Sequence, residues 1–395
     1  YDEQGRLTEA EAVWVAVMKK RKQVLGDEHL DTLTSMANLA LTYRNQGRWT
    51  EAEALEVVVM KKRKQVLGDE HPDTLLSIGN LAATYRNQGH WTEAEALQVV
   101  VMEKSKQVLG DDHLDTLTSM ANLANTYWDQ GRWTEAEVLQ VVVLEKTKQV
   151  LGDNHPHTLK SMANLAATYM NQGRLTEAEA LQVAVMKKRK QVLGDEHPDT
   201  LRSMGTLAST FWKQGRLTEA EALYVVVMEK RKRVLGDEHP DTLKSMDNLA
   251  LTYGNQGRWK EAEALHVVVM EKSMQVLGDE HPATLRSIAN LATTYRDQGR
   301  LTEAEALYMA VVEKRKQVLG DEHPDTLNSM ANLASTYWSQ GRLTEAEVLE
   351  VVVMEKSKRV LGDDHPDTLI SMKNLADTYR RQGRLTEAEA LKVEV

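Results

Sequence analysis

The sequence predicts an all-α solenoid of antiparallel helix pairs. Three observations predict it: a repeat of fixed length, two apolar stripes at helical spacing in each repeat, and glycine and proline held to fixed slots. The Gly of Leu-Gly-Asp recurs at 26, 68, 110, 152, 194, 236, 278, 320 and 362. That of Gln-Gly recurs at 5, 47, 89, 131, 173, 215, 257, 299, 341 and 383, giving a period of 42 residues without a slip. Residues 1–395 are therefore expected to form a single array, with nine full repeats starting near 30, 72, 114, 156, 198, 240, 282, 324 and 366, and truncated ends. Tyr1 aligns with Tyr43 and Val395 with Val59, so both ends fall inside a repeat. Such ends are expected to expose apolar faces and to give a monomer or an end-to-end dimer, since terminal repeats usually carry polar caps.

Each repeat opens with a helix. In the repeat beginning at Leu114, residues Leu117, Met120, Leu123, Ala124 and Tyr127 share one face at about 100° per residue. All seven prolines occupy the first position of this helix, as in His71-Pro72, where the fixed φ is helical and the missing N–H has no intrahelical role. The Asp that usually follows, such as Asp73, suits the positive end of the helix dipole. Leu30 and Leu114 stand in for Pro in two copies, so proline helps without being required.

Gln-Gly ends the first helix and Thr-Glu-Ala-Glu begins the second. Thr50 and Glu53 have the spacing of a capping box, and Lys260 replaces the threonine in one copy. The second helix runs through Ala52, Leu55, Val59 and Val66, then through a basic turn, Lys61 to Lys64, to Gly68. Each helix is expected to span about 16 residues. Neither buries its stripe alone, so stacked copies must share the core.

Composition narrows the functional classes. Aromatics are 5% and there is one Phe, so the apolar surface comes from Leu, Val, Met and Ala, which suit helices. There is no cysteine, which removes disulfides and thiolate metal sites and fits a reducing, cytoplasmic setting. No apolar run approaches the roughly 20 residues that span a bilayer, and no membrane partner is expected. A net charge of −10 disfavours nucleic acid as the main partner. The chain opens on Tyr1 rather than Met and is read as an excerpt of something larger.

Asn38-Leu39-Ala40, Tyr43, Gly47, Glu51-Ala52, Val59 and His71-Pro72 together resemble the tetratricopeptide signature, in the 42-residue form of kinesin light chains and of fungal and bacterial proteins where it follows an NB-ARC or NACHT module. The resemblance covers essentially the whole chain and implies a right-handed superhelix whose first helices line a concave groove for peptides. This chain departs from the common pattern at the large apolar slot of the second helix, with Trp14, Glu56, Gln98, Gln140, Gln182, Tyr224, His266, Tyr308, Glu350 and Lys392. Those side chains are expected to be partly solvent-facing.

Copies within one chain face nearly the same packing demands, so differences between them mark surface free to specialise. Variation clusters on the first helix opposite its core stripe, at the slots of Thr118, Ala121, Asn122, Asn125 and Trp128. One slot reads Thr34, Leu76, Thr118, Lys160, Arg202, Lys244, Arg286, Asn328 and Ile370, with four successive cations. Ten residues on, the slot reads Arg44, Arg86, Trp128, Met170, Trp212, Gly254, Arg296, Trp338 and Arg380, the residue types that dominate binding hot spots. The competing role is to cover apolar groove floor by snorkelling. Asn38, Asn80, Asn122, Asn164, Asn248, Asn290, Asn332 and Asn374 form a ladder broken at Thr206, whose amides could bond either an extended peptide or the next helix.

These features predict a protein-protein interaction scaffold, not an enzyme, that takes an acidic segment with an aromatic or apolar anchor. Two alternatives are a ligand-sensing arm of an NB-ARC or NACHT switch ATPase and a nucleic-acid binder using the basic helix ends. Nine His residues beside carboxylates, from His29 to His365, superficially suggest metal, but an identical loop in every copy is better read as capping. No catalytic elbow or phosphate-binding loop is present, and no cofactor or metal is expected.

Overall fold

A computed structural model describes residues 7–393; Tyr1, Gly5, Val395 and the side chain of Lys392 lie outside the described residues. All regular structure among the described residues is helical. The chain divides into two compact units, residues 1–242 and 243–395.

In the first unit come α1 (Leu7–Leu25), α2 (Leu30–Asn45), α3 (Trp49–Leu67), α4 (Pro72–Asn87), α5 (Trp91–Leu109), α6 (Leu114–Asp129), α7 (Trp133–Leu151), α8 (Pro156–Asn171), α9 (Leu175–Leu193), α10 (Pro198–Lys213) and α11 (Leu217–Leu235). Successive helices from α1 to α11 pack against one another. The second unit holds most of α12 (Pro240–Asn255), then α13 (Trp259–Leu277), α14 (Pro282–Asp297), α15 (Leu301–Leu319), α16 (Pro324–Ser339), α17 (Leu343–Leu361), α18 (Pro366–Arg381) and α19 (Leu385–Val393). The same neighbour-to-neighbour packing runs from α13 to α19.

The full-length first helices have the expected 16 residues and begin at the nine expected positions, while the second helices reach 19. First helices start on a histidine cap. His71, at φ −65° and ψ 136°, accepts the backbone N–H of Asp73 through Nδ1 at 3.1 Å, and the same bond recurs at 3.2 Å in His113 and 3.1 Å in His365. The capping role expected of these loops is thus observed, through the ring nitrogen. The helices end in a Schellman turn: Arg48 N–H reaches Tyr43 O at 2.9 Å, Gly47 N–H reaches Arg44 O at 3.1 Å, and Gly47 takes φ 78°.

This turn overturns the expected capping box. Only three residues separate α2 from α3, so Arg48 both closes the turn and serves as N-cap of α3, with no side-chain cap bond. Thr50 already lies inside the helix and is exposed. Glu53 looks away from its own N-terminus and accepts from Gln88 Nε2 of the next pair at 2.9 Å. The same junction recurs: Arg174 stacks 4.0 Å over the Tyr169 ring, donates to Glu137 of the preceding second helix at 2.8 Å, and forks onto Glu177. These bonds hold the Arg174 guanidinium well above its ordinary pKa.

The core lies between helices. Leu117, Met120, Leu123 and Ala124 are buried as expected, and so are Ala52 and Val59, whereas Val66 is 47% exposed. The divergent slot of the second helix requires the larger correction. Glu56, Gln98, Gln140, Gln182, Tyr224, His266, Tyr308 and Glu350 are all buried. A buried threonine from the following first helix meets the polar ones: Thr126 Oγ1 donates to Gln98 Oε1 and Thr168 to Gln140 Oε1, both at 2.7 Å, and Thr210 to Gln182 at 2.8 Å. The bond lowers the cost of burying the amide oxygen and the hydroxyl, although Gln182 Nε2 and Glu350 Oε2 stay enclosed without a partner among the described residues. The bond crosses between repeats.

Candidate functional site

The residues that vary between copies lie on the first helices, and the structure sorts them by exposure. In the first unit Lys160 and Arg202 are exposed, and in the second Lys244 and Arg286 are. Arg202 keeps an ion pair one turn back with Asp199 at 3.0 Å. An exposed pair of this kind is worth little and leaves the cation available.

The asparagine ladder divides. Asn122, Asn164, Asn248, Asn290 and Asn332 are half-buried. Asn290 Nδ2 donates to Asp247 Oδ2 at 2.7 Å, tying α14 to α12, and Asn332 turns to Asn328 Oδ1 at 3.1 Å. The side-chain amides of Asn122 and Asn164 make no hydrogen bond to the described residues, so they retain both donors and acceptors.

The slot of arginines and tryptophans divides too. Arg44 reaches Asn80 O at 3.3 Å and lies 3.7 Å from Glu56, and Arg86 pairs with Asp129 at 3.1 Å. These two serve the next repeat. Asp129 is pushed up to about 6 by burial, against the pull of Arg86. Trp128 and Trp212 are half-buried with their indole N–H enclosed and unpaired, and Arg296 leans on Asp297 at 3.3 Å. Trp338 stays 37% exposed beneath the Arg381 guanidinium, 4.1 Å from its ring centre.

Clefts open beside these side chains. One of about 400 Å³ between α4, α5 and α6 is lined by Leu76, Gly79, Ala83, Gln98, Val101 and Asn122, with Arg44 and two carboxylates, Asp73 and Asp115, as its charged groups. Another of about 350 Å³ between α8, α9 and α10 is lined by Lys160, Asn164, Arg189, Asp199 and Arg202. A third, of about 480 Å³, lies against α18 with Ile370, Met372 and Leu391. The first unit thus offers both a partly apolar pocket with two carboxylates and one cation and a pocket with an excess of cations.

Two features escaped the sequence reading. Arg189 and Arg231, read as cations serving the helix dipole, are 7% exposed, as Arg63 and Arg315 nearly are, and burial lowers their pKa. The signal was present in the slot itself, which alternates Arg63, Ser105, Thr147, Arg189, Arg231, Ser273, Arg315 and Ser357. A position serving only the dipole has no reason to alternate with serine. The second feature is a buried pair in one copy, His266 Nε2 lying 3.5 Å from Asp247, with Thr294 2.9 Å from Nδ1. Burial lowers the His266 pKa. Both side chains are buried.

Two family models, both described as tetratricopeptide repeat, match this chain: one at residues 1–31, 32–73, 74–115 and 116–157, the other in overlapping segments from 160 to 350 and at 353–394. The chain belongs to the tetratricopeptide-repeat family. Among solved structures it is similar to a Podosopora anserina protein described as having kinesin light chain nearly identical TPR-like repeats, at 31% identity over 51% of this chain and 95% of that one, with a TM-score of 0.45. A Rap protein solved with competence and sporulation factor is similar at 12% identity over 92% of this chain and 99% of that one, TM-score 0.53. RapI in its apo form covers 72% of this chain and 98% of that one, at 12% identity and TM-score 0.52. No curated protein matches. As a tetratricopeptide-repeat chain, it is a repeat scaffold for protein interaction.

Proposed function

We propose that this chain holds a peptide or protein segment along the exposed face of its first helices, and that the segment is acidic with an aromatic or apolar anchor. One observation carries the reading: of the cations that vary between copies, Lys160 and Arg202 stand exposed and line a cleft of the first unit, and Lys244 and Arg286 are exposed on first helices of the second. Acidic side chains answer those cations. The cleft beside Leu76 and Val101 suits the anchor. Asn122, Asn164, Asn248, Asn290 and Asn332, with Trp128, Trp212, Arg296 and Trp338, complete the proposed contact set, and the amides of Asn122 and Asn164 suit main-chain recognition. Arg44 and Arg86 are excluded because their neighbours already occupy them.

Fluorescence titration with labelled acidic peptides containing one tryptophan tests the reading. Replacing Lys160, Arg202, Lys244 and Arg286 by Glu is expected to weaken binding more than about tenfold and to abolish its salt dependence. Unchanged affinity in that variant would defeat the proposal.

A further inference from the structure

We propose that the cleft between α8, α9 and α10 is a phosphate pocket, which receives a phosphorylated side chain of the bound segment through Lys160, Arg189 and Arg202. The inference rests on the reading of this face as a peptide-binding surface.

Two copies of one slot differ in their hydrogen bonding. Arg63 and Arg189 are both buried and both donate through Nη1 to a backbone carbonyl and a serine of the next first helix: Arg63 to Asp73 O at 3.1 Å and Ser77 Oγ at 3.0 Å, Arg189 to Asp199 O at 3.1 Å and Ser203 Oγ at 2.8 Å. They differ at Nη2. Arg63 Nη2 donates to Thr34 Oγ1 at 3.2 Å. In the other copy the threonine is replaced by Lys160, which has no lone pair to offer, and Arg189 makes no further hydrogen bond to the described residues. Arg189 lines the cleft, and its remaining donors have no partner there among the described residues yet are not enclosed, beside a second cation. Cations set side by side repel until an anion joins them.

The charge around the cleft defines what relieves it. Lys160, Arg189 and Arg202 contribute three positive charges, and the lining carboxylate, Asp199, is held by Arg202 Nη1 at 3.0 Å. The excess of about two matches a phosphomonoester, which carries about −1.5 to −2 at neutral pH with three acceptor oxygens. A carboxylate would neutralise only half of it. Planar guanidinium forks also suit phosphate oxygens. The cleft of α4, α5 and α6 has Ser105 at the arginine slot and Thr118 at the following cation slot, and so cannot do this.

Titration calorimetry with one acidic, tryptophan-containing peptide in serine, glutamate and phosphoserine forms tests the proposal, using the full chain and a Lys160→Thr, Arg189→Ser variant. Those replacements are what sister copies carry at the same two slots, so the fold tolerates them. The phosphoserine form is expected to bind at least tenfold tighter than the glutamate form, and the variant to lose that preference; because Lys160 also belongs to the proposed contact set, the serine and glutamate forms weaken in the variant too, but by a smaller factor than the phosphoserine form. Equal binding of glutamate and phosphoserine forms, or a preference that survives in the variant, overturns the phosphate pocket and leaves the peptide-binding reading standing. Should no peptide form bind, the peptide-binding reading fails instead. Line broadening of free phosphoserine by ³¹P NMR then decides the pocket: broadening lost in the variant supports the anion site, and none in the full chain overturns it.

Discussion

One buried slot of the second helix is filled by different chemistries in successive copies, and a threonine from the next repeat meets several of them. Gln98, Gln140 and Gln182 accept its proton as neutral amides, His266 meets it through Nδ1, and Glu350 occupies the same slot with a carboxyl group. Burial pushes Glu350 up to about 6. Its pKa is raised on folding, so the native state binds the extra proton between about 4.5 and 6, and the chain gains stability as pH falls through that window. Above pH 6 the buried charge is a standing cost. Glu350→Gln is therefore expected to stabilise the chain by about 1–2 kcal/mol at pH 7, with the difference fading below about pH 4.5; urea titrations at the two pH values measure it. The burial of this slot was not legible in the sequence. A polar residue at the edge of an apolar stripe looks solvent-facing, because the threonine that satisfies it lies 28 residues further on in another repeat.

Helix starts and stops were legible where they depend on a few adjacent residues. The histidine before Pro72 and the glycine after Gln46 each act on the backbone within a turn, and both behave as their chemistry dictates. His113→Ala should cost about 1 kcal/mol, and His113→Asn should restore most of it, since an amide oxygen can accept the same N–H. Denaturant midpoints at unchanged slope report the change. The capping box failed for a reason of spacing: the tight turn makes Arg48 the cap and moves Thr50 into the helix. What joins the pairs instead is the Gln-Gly-Arg junction, in which an arginine over an aromatic ring binds a glutamate of the previous repeat. One copy lacks it: His90 replaces the arginine and only tilts against Tyr85, its ring centre 6.2 Å away. His90→Arg restores the stack and the reach to Glu53, and is expected to add about 0.5–1 kcal/mol. A gain that disappears in a Tyr85→Leu background would assign it to the ring.

At the scale of the molecule, helices within each unit take nearly all their contacts from their neighbours along the chain. Differences between copies can therefore accumulate on the exposed face without disturbing the packing, which is why the candidate site was legible from copy-to-copy variation while the buried arginines behind it were not. Lys160 and Arg202 vary and are exposed; Arg189 varies too, but its basic neighbours Lys188 and Lys190 made it look like part of a solvated turn. Nearest-neighbour packing also makes stability a sum of repeat and interface contributions rather than one cooperative quantity. Leu159 is 2% exposed and packs with Met162, Leu165 and Val185. Leu159→Ala is expected to cost about 2–5 kcal/mol, and the loss should stay local. Hydrogen–deuterium exchange followed by mass spectrometry should show protection falling in α7, α8 and α9 and unchanged in α2 and α3. Two-state behaviour would instead spread the loss evenly over the first unit, and an even loss would mean that the interfaces between repeats are strong enough to make the array fold as one. Binding then discriminates further: a ligand held only at the α8 cleft should restore protection to α8 and α10 first, because stabilisation in such an array enters at the occupied repeat and weakens with each interface it crosses.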